Sequence, residues 1–151
     1  MEYGFFYGSI IILWIIFIIC IHFKPATLAN TIIGITTVAY SLLYETLLGE
    51  YFKLYYYIEP QKSILYIILA GLLIYPVLNI IYTMFLPAKI KPILVYTSLW
   101  TIAMLVFEYA SILTKTVVFT GWQMFPWSLI TYILTYLWIY LFYSYLEKRI
   151  D

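Results

Sequence analysis

The chain has 151 residues, of which 66% are hydrophobic, 22% aromatic and only 10% charged. Soluble domains carry about 25% charged residues, so this composition excludes an ordinary water-soluble fold, and a net charge of +1 offers no basic surface to nucleic acid. The apolar residues gather into runs near or above the ~18–20 needed to cross a bilayer, where the backbone must satisfy itself as helices or a closed barrel. Ile- and Leu-rich runs without alternation exclude the barrel. The expected fold class is all-α: a single-domain integral membrane bundle of five transmembrane helices, in contact with the lipid bilayer.

The first span covers about residues 4–23. Glu2 stands where a signal peptide has Lys or Arg, the apolar run is too long, and no small-residue cleavage pattern follows, so the helix is read as retained. Gly4 and Gly8 form a GxxxG that would permit close helix packing. Otherwise large apolar residues on every side predict a peripheral, lipid-facing helix. The lone Cys20 offers no internal disulfide and no cysteine metal set.

Lys24-Pro25 breaks the chain, and Asn30 or Thr31 is the expected cap of the second span, about 28–48. Asn30, Gly34, Thr37, Ser41, Glu45 and Gly49 recur at steps of three and four, which places them on one helix face. Ile32, Ile35, Ala39, Leu42 and Leu43 make the other face apolar. Such a seam belongs inside a bundle, where small residues allow close approach and polar ones find partners. The connector 50–62 mixes aromatics with charges. Tyr51, Phe52, Tyr55 and Tyr57 suit the headgroup level, or alternatively an aromatic ligand cage.

The third span is about 63–86, with a kink expected at Pro76. Gly71, Tyr75 and Asn79 share a face, and Asn79 is expected to bond either the carbonyl freed by the proline or a neighbouring helix. After Pro87 to Pro92 comes the fourth span, about 92–113, with a stripe of Thr97, Thr101, Met104, Glu108, Ser111 and Lys115. A loop over 116–126 holds Gly121 and Trp122. The fifth span is about 127–146, with Ser128, Thr131 and Thr135 on one face.

Five spans put Lys24, Lys89, Lys91, Lys148 and Arg149 at one membrane face and Lys53, Lys62 and Lys115 at the other. This bias predicts a cytoplasmic C-terminus and an outer N-terminus in the plasma membrane. Glu45 and Glu108 then lie ~5–8 Å below the outer ends of parallel helices. Each follows an aromatic residue and precedes a lysine, Lys53 or Lys115, which suggests a helix-pair repeat with an offset of 63–66 over helices two–three and four–five.

An ionisable group at the centre of a span costs roughly 2.5–3.5 kcal/mol, and less near its ends. Two readings of the glutamates are open: a functional pair facing inward, or a structural one paired with Lys53 or Lys115 or accepting hydrogen bonds from tyrosines. His22 belongs to the opposite membrane face. No HExxH, GxSxG or phosphate-binding loop occurs, and the sole aspartate is Asp151, so neither a catalytic set nor a metal set nor a cofactor is expected.

The runs Tyr75-Pro76-Val-Leu-Asn79-Ile-Ile, Phe107-Glu108-Tyr109-Ala-Ser111, and Gly121-Trp122 before Trp127-Ser128 resemble an uncharacterised family of small multi-span membrane proteins from spore-forming Firmicutes. The likeness covers about residues 70–130, roughly helices three to five. It implies a host type and a topology but no chemistry, and it marks Tyr75, Pro76, Asn79, Phe107, Glu108, Tyr109 and Trp122. The candidate site is therefore the seam Glu45, Glu108, Asn79, Ser41, Ser111, Lys115, Tyr75, Tyr109 and Trp122. The leading expectation is a non-enzymatic membrane component that binds a partner protein, a second copy of itself or a small ligand near the outer face. A proton- or cation-coupled transporter is the second reading, and a metal-free lipid-modifying enzyme the third.

Overall fold

The computed structural model describes residues 1–150; Asp151 lies outside the described residues. Five helical segments are long and apolar enough to cross a membrane: Glu2–Phe23, Leu28–Tyr51, Pro60–Met84, Ile90–Leu113 and Met124–Ile150. The protein is a multi-pass, all-α membrane bundle. Its regular helices are α1 (Glu2–Phe23), α2 (Leu28–Glu45), α3 (Ser63–Leu73), α4 (Tyr75–Met84), α5 (Ile90–Leu113) and α6 (Leu129–Ile150). The third span is thus two helices broken at Ile74, two residues before Pro76. There the Leu73 carbonyl accepts the Trp14 indole N–H of α1 at 3.0 Å, which satisfies a backbone group at membrane depth.

Helix α2 begins one turn earlier than its expected caps. Thr27 is the N-cap, its hydroxyl accepting the Asn30 amide N–H while the Asn30 side chain accepts the Thr27 amide. Its seam is the buried face: Asn30, Gly34, Thr37, Ser41 and Gly49 are buried, whereas Ile35 and Leu43 face outward. The partner is the broken third span. Asn30 donates to Thr83 at 3.0 Å and Asn79 donates to Thr37 at 3.1 Å. Of the two uses expected for Asn79, the neighbouring helix is the one observed. A Cβ on Gly34 would sit 2.6 Å from Ile80, and one on Gly71 would sit 2.6 Å from Leu42. A methyl group at either crossing would oblige the end of the facing Ile80 or Leu42 side chain to shift.

Helix α1 lies along α4 and α5, and its one fully buried residue is Phe6. Phe6 is buried against Tyr57 and Tyr66, while Ile11, Ile12, Ile15 and Ile18 are exposed to the lipid side. Gly4 and Gly8 have nothing within 4 Å of a built Cβ, so the GxxxG mediates no contact within the chain. The Tyr3 hydroxyl donates to Glu59 at one end of the bundle, and Lys24 reaches the Met84 carbonyl and the Phe85 ring at the other.

The segments read as loops contain a short antiparallel ribbon absent from the all-helical expectation. Strand β1 (Tyr55–Tyr57) pairs with β2 (Val117–Phe119), with Tyr56 opposite Val118. Residues 62 positions apart therefore exchange places across the central pair. Lys53 and Lys115, also 62 apart, both adopt left-handed backbone (φ 55° and 58°) two residues before their strands. A helix, a left-handed lysine, a strand and another helix thus occur twice along the chain. The amides of Thr120, Gly121 and Trp122 converge on the Leu54 carbonyl at 2.9–3.0 Å and fold the second loop over the first. Tyr51 and Phe52 are exposed, as an interfacial segment requires. Tyr55 and Tyr57, expected beside them at the headgroups, instead point inward and are buried, because strand alternation sends every second ring to one face.

Candidate intramembrane site

Two clusters of aromatic and aliphatic side chains hold the bundle. One, away from the ribbon, centres on Tyr82, Met104, Tyr136 and Ile139; the other, beneath the ribbon, on Phe6, Tyr55, Tyr57, Tyr66 and Ile67. Between them lies a cavity of about 140 Å³, bounded by the first turns of α1, by α2, both halves of the third span, α5, α6 and the ribbon. Glu45 and Glu108 both line it.

Each carboxylate is held by hydroxyl groups, the tyrosine alternative of the sequence reading, and not by a lysine. Tyr57 donates to Glu45 at 3.0 Å, and the Tyr75 hydroxyl, 3.3 Å from the other Glu45 oxygen and 2.7 Å from the Tyr57 oxygen, has one proton to share between them. Ser128 and Tyr132 donate to the two oxygens of Glu108 at 2.5 and 2.6 Å. The Trp122 indole donates to Ser128 at 2.9 Å; an indole N–H only donates, so the serine proton is free to point at Glu108. Burial first, and then the Glu45 charge, push the Tyr57 hydroxyl well above the usual phenol range. Tyr57 therefore stays a donor at neutral pH. Tyr55, in the same strand, is raised for the same two reasons.

The structure brings seven of the nine expected site residues to this cavity: Glu45, Glu108, Asn79, Ser41, Ser111, Tyr75 and Trp122. Ser41 and Ser111 bond backbone carbonyls, Gly71 at 3.4 Å and Phe107 at 2.9 Å. Two residues are corrected. Tyr109 is 54% exposed on the outer side of α5, one position past Glu108 and hence rotated about 100° from it. Lys115 is exposed beyond the end of α5, where its left-handed backbone turns the chain into β2. Neither lysine of the expected pairs meets its glutamate, since Lys53 bonds Glu50 at 3.1 Å. Among the described residues no group of three or more His, Cys, Asp or Glu could hold a metal ion.

Sequence reasoning missed Tyr57 and Tyr132 as site residues. Tyr132 carried a usable signal, because it lies one turn after Ser128 and so points the same way. Tyr57 was offered only within the aromatic-cage alternative for the connector, since its inward aim depends on the ribbon. Comparisons with protein-family models, with curated proteins and with solved structures return no match for this chain.

Proposed function

We propose that the protein is a non-enzymatic, multi-pass component of the plasma membrane that binds a small ligand in this cavity, near the outer face. The observation that carries the reading is the convergence of Glu45 and Glu108, from two separate spans, on one cavity. Polar and ionisable groups at membrane depth are costly and gather at functional sites, and a mainly apolar cavity with a few convergent polar groups is the usual form of a ligand pocket. The outer placement follows from the lysine bias between the two ends. The Firmicutes kinship rests on the motif likeness around Tyr75, Glu108 and Trp122.

A ligand that binds only the folded state raises the unfolding temperature. A small-molecule extract of host cells is expected to raise the Tm of the purified chain in nanodiscs, but not that of a Glu45→Gln/Glu108→Gln variant that still folds. No shift in the wild type from any extract fraction contradicts the reading.

Coupled transport is the second reading, favoured by the chain of hydroxyls from Tyr57 and Tyr75 to Glu45. It expects Glu108→Gln to abolish pH-dependent solute uptake into vesicles without loss of expression. Unchanged flux ends it.

A further inference from the structure

Resting on the reading of the cavity as a ligand site, we infer that its occupant is a small organic cation, an alkylammonium of about five to eight non-hydrogen atoms. Charge gives the sign. Among the described residues, no Lys, Arg or His lines the cavity, yet two glutamates do, and the three ion pairs of the chain all lie at its exposed periphery. Both oxygens of Glu108 accept hydrogen bonds, from Ser128 and Tyr132, so each oxygen of the ionised form has a donor. A buried carboxyl group held only by neutral hydroxyls either takes up a proton or is matched by a cation. The polypeptide supplies no cation there, so a ligand that binds the ionised form brings one.

The walls give the chemical class. Tyr55, Tyr57, Tyr75, Phe107, Phe119 and Trp122 surround the same space. Aromatic faces attract a cation that carries its charge on alkylated nitrogen, and this attraction is strong where water is excluded. A bare metal ion would instead need a shell of oxygen ligands. Volume gives the size: about 140 Å³ is close to the cavity that just admits a benzene.

Choline and its neutral carbon isostere 3,3-dimethylbutan-1-ol separate charge from shape. Binding of each to the full chain in nanodiscs is read by calorimetry and by the tryptophan fluorescence to which Trp122 contributes. Choline is expected to bind at least about tenfold more tightly than the alcohol, and Glu45→Gln and Glu108→Gln are each expected to narrow that ratio by weakening choline alone. Equal binding of the two probes overturns the cationic inference and leaves the ligand reading standing. Binding of neither, or stabilisation by sodium with choline inert, also overturns it. The extract experiment then decides whether the ligand reading falls too.

Discussion

Tyr57, Tyr75, Ser128 and Tyr132 are what make two glutamates tolerable inside this bundle. A hydrogen bond to a charged group contributes about 1.5–3 kcal/mol, so Tyr57→Phe or Tyr132→Phe is expected to destabilise the chain by roughly that amount, measured by denaturant unfolding in detergent. Asn79 works through neutral partners. Replacing it with Ala should cost only about 0.6–1.7 kcal/mol, the range found for interhelical hydrogen bonds in membranes. A loss for Tyr132→Phe smaller than that for Asn79→Ala would show that the carboxylates are not held as described. At this scale the sequence was legible where helix periodicity governs. The steps from Asn30 to Gly49 identify the buried face of α2, and Glu108 stands out as a charge within a span. Tyr109 and Lys115 were misplaced for opposite reasons. The first is a marked residue one position off the buried stripe, and the second continues the stripe past the point where the helix ends.

Among the elements, the crossing of α2 with the third span is the tightest packing in the molecule. Gly34→Leu and Gly71→Leu should each destabilise by about 1–3 kcal/mol, because overpacking forces neighbours off their rotamers, while Gly4→Leu and Gly8→Leu should change stability little, since their surroundings are open. Comparable losses at all four positions would contradict the packing described. The ribbon end is tied to α1 by the Tyr3–Glu59 hydrogen bond. The Tyr3 hydroxyl, and secondarily Lys62, hold the Glu59 carboxyl below the usual carboxylate range. A group whose folded pKa is depressed stabilises above its unfolded value and loses that contribution as pH falls through the folded one. Hydrogen exchange in the first turn of α1 should therefore quicken below about pH 4, and Glu59→Gln should remove that pH dependence. The ribbon itself was invisible to periodicity: three residues are too few to establish a period in the sequence, and Tyr55–Tyr57 and Val117–Phe119 pair across 60 residues or more.

For the whole molecule, two helix–strand–helix stretches meet at the ribbon and close over a space between α2, α4, α5 and α6, lined also by Phe5, Phe6 and Ser9 of α1. Helix α1 lies outside as a lipid-facing strut whose first turn buttresses the ribbon through Phe6. The five spans were legible because composition and run length decide them, while the cavity was not, because it depends on how the spans and the ribbon pack. In the proposed reading, Glu45 and Glu108 jointly hold a small molecule there. Native mass spectrometry of the chain released directly from its own membranes tests this most directly. The wild type is expected to carry a small-molecule mass increment that is lost from a folded Glu45→Gln/Glu108→Gln variant; a bare wild-type chain, or an increment that persists unchanged in the variant, rules out joint binding by the two glutamates.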